Sequence, residues 1–163
     1  MIPALAQATP DPAANLSTVY QKIADTILAA NGSERAVVQA ILSTERDAAL
    51  AALDRAAEKG GSAADLRTAA DRIGDFATEG GAAVEPIRNR LIQSGHHHNA
   101  DDTGPDAVYD PGYVVVTRKA KQEILPLAKR AAKAAEASNV DVAEVKAIRE
   151  AFAAAAGKAL TVK

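Results

Sequence analysis

The chain has 163 residues, with 19 basic and 21 acidic side chains, a net charge of -2 and no cysteine. That charge balance argues against a dedicated basic nucleic-acid binder and against a strongly acidic solvating tail. The missing thiols exclude a disulfide framework, an iron–sulfur cluster, c-type haem attachment and thiolate zinc sites.

With aromatics at 3% and no tryptophan, the core must be built from alanine, leucine, isoleucine and valine. Alanine alone supplies 40 of the 163 residues. It is the strongest helix former, so the excess points to closely packed helices rather than a sandwich or barrel. No apolar run approaches the roughly 20 residues that a membrane helix needs.

Residues 1–11 read as a flexible N-terminus, with 12–163 forming a single helical-bundle domain. Ala6-Gln7-Ala8 has the small–x–small form that ends a secretory signal peptide, although a positive segment and most of an apolar segment before it are lacking. A signal-peptide remnant would place the protein in the periplasm or outside the cell. An ordinary frayed terminus would leave it cytoplasmic.

From Pro12 onward the periodicity is helical. Asp11 is placed to cap a first helix that has Pro12 at its first position and carries Leu16, Val19, Ile23 and Ile27. Asn31-Gly32 ends it. Ser33 caps a long second helix over about Glu34 to Lys59, roughly 39 Å at 1.5 Å per residue. Val38, Ile41, Leu42, Leu50 and Leu53 form its stripe, and Gly60-Gly61 stops it.

Ser62-x-x-Asp65 opens a third helix bearing Leu66, Ile73 and Phe76. Gly80-Gly81 ends that one, and a shorter helix with Val84, Ile87, Leu91 and Ile92 closes at Gly95. A long loop is expected over about 96–116, with Val114-Val115-Val116 extended against the bundle.

A fifth helix runs from Thr117 to about Ala137, with Ile124, Leu127, Ala128, Ala131 and Ala135 on one face. Arg118, Lys121, Lys129, Arg130 and Lys133 lie opposite, and Pro126 is expected to kink or split the helix. Asp141-x-x-Glu144 opens the last helix, with Val145, Ile148, Phe152 and Ala155 inward and an end near Gly157. The short joints at 60–62 and 138–141 imply antiparallel hairpins. Together these elements predict an all-α, antiparallel up-and-down bundle of four to six helices.

The long loop carries the candidate chemistry. His96, His97 and His98 are the chain's three histidines. In an extended segment His96 and His98 point to one side and His97 to the other. A His-x-His pair supplies two ligands to Zn, Cu or Ni, and Asp101 or Asp102 is close enough in sequence to complete the shell. A solvated loop whose histidines face the preceding helix end is the competing reading. Asn99, Asp101, Thr103, Gly104 and Asp110 also match calcium-loop spacing, but with Asn at the first position, Asp at the last and Pro105-Asp106 in place of the apolar pairing segment. If His96 and His98 are ligands, their joint replacement by alanine abolishes calorimetric Zn²⁺ binding, whereas His97→Ala alone costs little.

Catalytic signatures are missing. No helix interior holds a histidine for a di-iron site, and there is no Gly-x-Ser-x-Gly elbow, phosphate-binding glycine loop or His-Glu-x-x-His. Glu45, between Leu42 and Ala49 on the long helix, is expected to be a flanking carboxylate with a buried stem. The basic face of the fifth helix is expected to be solvated, partly neutralised by the aspartates of the loop, and it lacks the aromatic residues of a single-strand stacking platform.

The expectation is therefore a non-catalytic binding or interaction protein. Its partner is expected to be a protein or a divalent metal ion rather than nucleic acid. Metal binding through the histidine loop is the first alternative, and an enzyme with a site assembled from several helices is the second. A cleft holding a carboxylate of raised pKa beside a polar nucleophile would favour the enzyme.

Overall fold

The structure, a computed structural model, describes residues 11–58, 62–93 and 115–161. Helix accounts for 80% of it, and no strand occurs among the described residues. The six α-helices are α1 (Ser17–Ala29), α2 (Glu34–Ala57), α3 (Ala63–Ala77), α4 (Glu85–Gln93), α5 (Arg118–Ala134) and α6 (Val142–Thr161). A 3₁₀ turn, Gly81–Val84, leads directly into α4.

The helix starts follow the side-chain signals. Ser33 accepts a hydrogen bond from the Ala36 amide at 3.1 Å, Thr117 from the Ala120 amide at 3.1 Å, and Ser62 from the Asp65 amide at 3.4 Å. Asp141 accepts from the amides of Ala143 and Glu144 at 3.1 and 3.4 Å. Each satisfies donors that a helix N-terminus leaves without a partner.

Helices α2, α3, α5 and α6 form a closed ring, each packing on the next and α6 returning to α2. Neighbours are antiparallel. Arg130 near the end of α5 meets Glu144 near the start of α6, and Asp54 near the end of α2 meets Arg149 in the first half of α6. Phe76 of α3 and Phe152 of α6 meet edge to face across the ring, with centroids 5.5 Å apart and both side chains fully buried. Around them alanines 48, 49, 52, 69, 131, 156 and 159 are buried, and their small size lets the helix axes approach closely. Helix α1 lies outside this ring, against α2, α4 and the 3₁₀ turn. Val115 and Val116, the described part of the expected valine run, are buried against the bundle.

Several expected boundaries move. Asp11 does not cap a helix that has Pro12 at its first position. Its carboxylate and carbonyl accept from the amides of Ala13 and Ala14 at 3.1 Å each, which makes a turn, and α1 begins only at Ser17. Pro126 does not split α5, which is one helix from Arg118 to Ala134. Pro126 and Gln122 both lie on the exposed side, where water reaches the carbonyl that proline cannot pair. Helix α6 runs past Gly157 to Thr161, because a helical glycine costs only about 1 kcal/mol and Ala159 extends the buried stripe. Ala156, rather than Ala155, is the fully buried residue at that level.

At the end of α3, Glu79, Gly80 and Gly81 all have positive φ, at 60°, 96° and 60°. A Cβ at Gly81 would lie 2.5 Å from the Asp75 carboxylate, so a larger residue there would have to displace that side chain as well as hold a positive φ. Glu79 is held in this strained conformation by two attachments. Its Oε2 accepts from the Val115 amide at 3.0 Å, and Arg88 donates to the carbonyls of Thr78 and Glu79 at 3.3 Å each.

Candidate functional site

Two features of the described structure carry concentrated charge: one sealed inside, the other on the surface. The inner one joins α1, α2 and α3. Tyr20 of α1 donates its hydroxyl to Oε1 of Glu45 on α2, and Nη1 of Arg72 on α3 lies 3.4 Å from the same oxygen. Arg72 also donates through Nε to the Pro12 carbonyl at 2.8 Å, and through Nη2 to the Ala14 carbonyl. One guanidinium therefore clamps the segment before α1 onto α3 while facing a carboxylate on α2. Asp75, one turn along α3, is 3.8 Å from Arg72.

Glu45 is 0% exposed, which corrects the expectation of a flanking carboxylate with only its stem buried. Its position on the apolar stripe turns the whole side chain inward, and Tyr20 and Arg72 supply polar partners there. Its second oxygen, Oε2, has no hydrogen-bond partner. Burial pushes the Glu45 carboxyl up to about 7, against the opposing pull of the Tyr20 hydroxyl and the Arg72 charge. The Tyr20 phenol is raised well above its ordinary value, first by burial and then by the charge of Glu45 and its hydrogen bond. Asp75 is also raised, by burial more than Arg72 lowers it.

A carboxyl whose pKa is raised to near neutrality is what a general acid requires. Here the surrounding packing closes it off. Glu45 and Tyr20 are both 0% exposed, and the described surface clefts are lined by other residues.

The outer feature lies on the α5–α6 hairpin. Residues 118–163 carry ten Lys or Arg against five Asp or Glu, a net +5, while residues 1–117 sum to -7. Arg130 is engaged by Glu144 through two bonds of 2.8 and 2.7 Å, and Arg149 by Asp54 at 2.6 Å. The Arg130 hydrogen bonds hold Glu144 below the usual carboxylate range. Among the described residues Arg118, Lys119, Lys121, Lys129, Lys133, Lys146 and Lys158 have no ion-pair partner.

Two shallow, open clefts mark opposite ends of the α5–α6 seam. One, about 480 Å³, is lined by Arg130, Lys133, Ala134, Ala137, Asp141 and Glu144. The other, about 180 Å³, is lined by Thr117, Lys119, Ala120, Glu123, Ala155, Lys158 and Ala159. The fifth-helix basic face anticipated from sequence is thus present and exposed. Lys119 and Lys158, which that reading did not single out, join it where the start of α5 meets the end of α6.

The metal candidates His96, His97, His98, Asp101 and Asp102, and the calcium-loop positions up to Asp110, lie outside the described residues, as do residues 1–10. Among the described residues no group of three or more histidine, aspartate or glutamate side chains is gathered to hold a metal ion. No described helix is long and apolar enough to cross a membrane. No known protein family, curated protein or solved structure matches the chain.

Proposed function

We propose that the protein is a non-catalytic interaction module that meets its partner through the α5–α6 face. The observation that supports this reading is the run of exposed basic side chains without ion-pair partners on that face. Elsewhere in the described chain arginines are mostly engaged: Arg46 with Asp47, Arg55 with Asp11, Arg90 with Asp25, Arg72 with Glu45, and Arg88 with two carbonyls. Like charges gathered on one face repel one another, and an anionic partner relieves that repulsion while steering its own encounter.

The enzyme alternative draws on the raised pKa of Glu45, but a substrate would have to displace the segment 11–16 and α1 to touch it. The test is nuclear magnetic resonance of isotope-labelled full-length protein in extract of its native source. Selective broadening of amides over 118–133 and 142–158 is the expected result. Broadening confined to Tyr20, Glu45 and Arg72 on addition of small-molecule fractions would instead favour the enzyme.

A further inference from the structure

We propose that α1 and the segment 11–16 form a pH-operated strap over the α2–α3 hairpin, released from the ring when Glu45 gives up its proton. The strap is independent of the α5–α6 face.

Its attachments converge on one buried carboxyl. Tyr20 donates to Oε1 of Glu45, and Arg72, 3.4 Å from the same oxygen, holds the carbonyls of Pro12 and Ala14. Both donors crowd one oxygen, whereas Oε2 is buried without a partner. In the ionised form part of the negative charge falls on that unsolvated oxygen. The one positive charge nearby is shared with two carbonyls and with Asp75 at 3.8 Å. An ionised Glu45 therefore gains more from water than from its neighbours.

The topology decides which element gives way. Three helices pack on α2, and two of them, α3 and α6, belong to the closed ring. Only α1 stands outside it, so α1 can leave while the ring stays closed. The turn at Asn31, with φ 61°, and Gly32, whose amide donates to the Ile27 carbonyl at 2.8 Å, keeps it tethered to α2. At 13 residues α1 is too short to be stable as an isolated helix, so undocking also melts it.

The charged groups around Glu45 leave it as the proton that moves near neutrality. From α1 comes the Tyr20 phenol, held above its ordinary value and thus protonated. From α3 come the Arg72 cation and Asp75, whose own negative charge further disfavours a second one at Glu45. The ion pair that α6 makes with α2, Arg149 with Asp54, lies about 13 Å along the helix from Glu45. In the segment before α1, Asp11 faces Arg55 at 3.8 Å.

The sign follows from where the proton is held more tightly. Strapped down, the Glu45 carboxyl titrates at about 7, whereas in water its ordinary value is 4.5. The strap is therefore tightest below about pH 4.5, loosens as pH rises to about 7, and changes little above that.

The test is amide hydrogen exchange of the full chain, followed by nuclear magnetic resonance at about pH 5.5 and about pH 7.5. Protection over Tyr20–Ala29 should lie below that of α3, α5 and α6 at both values, and should drop about tenfold or more between them. In Glu45→Gln the protection of α1 should be the same at both. Arg130→Ala, away from the strap, should keep the wild-type pH dependence. Carbon-13 titration of the wild-type glutamate carboxyls, which needs no variant, should show one group titrating near pH 7.

Three exchange results would overturn the proposal. One is protection of α1 equal to that of α3, α5 and α6, since it would then open only with the whole fold. The others are equal α1 protection at the two pH values, and a pH-dependent loss that survives in Glu45→Gln. Glutamate carboxyls that all titrate below about pH 5.5 would overturn it as well, because the strap would then have no proton to release.

Discussion

In the α2–α3 hairpin an arginine and a glutamate are taken out of water and bonded to each other, to a tyrosine and to two carbonyls. In the α5–α6 hairpin the interior is alanine, aliphatic side chains and Phe152, and the charge stands outside, mostly without partners. Both hairpins sit in one ring and share one core. The difference shows that a bundle of this composition tolerates a buried ion pair where a third element, here α1 and the segment before it, must be fixed in place. Where two helices need only pack on each other, small apolar contacts suffice and the polar residues remain available to solvent or a partner.

Removing one arginine from each hairpin should break this contrast most sharply. Arg72→Ala leaves Glu45 buried without its counter-charge and frees the carbonyls of Pro12 and Ala14, at a cost of about 3–5 kcal/mol in denaturant unfolding. Arg130→Ala removes a bidentate but exposed pair and should leave the unfolding midpoint unchanged within error.

The next effect concerns pH. The folded protein holds the Glu45 proton up to about 7, against an ordinary value near 4.5, so it binds that proton more tightly than the unfolded chain does. The resulting stabilisation is complete below about pH 4.5, falls as pH rises through 7, and amounts to about 3 kcal/mol. Glu45→Gln lacks this component, so the wild-type and variant stability–pH curves should diverge between about pH 4.5 and 7. A wild-type curve parallel to that of the variant would show that Glu45 ionises freely in the fold.

Tyr20→Phe deletes the donor to Glu45 without changing the packing volume. It should cost about 1–3 kcal/mol and move the Glu45 titration upward, since the hydroxyl favours the ionised form. Carbon-13 shifts of the glutamate carboxyl would report this. A modest effect is expected at the α5 start, where Thr117→Ala removes a cap worth about 1 kcal/mol.

Most of the ring was legible in the sequence because its signals are local. Ser33, Ser62, Thr117 and Asp141 mark helix starts within four residues of the amides they meet, and Leu66, Ile73 and Phe76 repeat at helical spacing. The buried cluster was not legible. Glu45 could be placed on the stripe of α2, but its partners lie 25 and 27 residues away on different helices, and nothing in the spacing pairs them. The same distance explains the misplaced start of α1. Asp11 and Pro12 look like a helix entry until Arg72, 60 residues on, takes the Pro12 carbonyl. The basic face was legible on α5 alone, because the contribution of Lys158 depends on α6 folding back to bring its end beside the start of α5.

The Arg72 clamp has a consequence for the order in which the chain folds. Each hairpin of the ring closes over a short joint, whereas the bonds from Arg72 to Pro12 and Ala14 close loops of 60 and 58 residues. Loops of that length cost more chain entropy than the joint between α2 and α3, so α1 should dock after the α2–α3 hairpin onto which Arg72 clamps it. Variants at Tyr20 or Arg72 should then speed unfolding and leave the folding rate nearly unchanged.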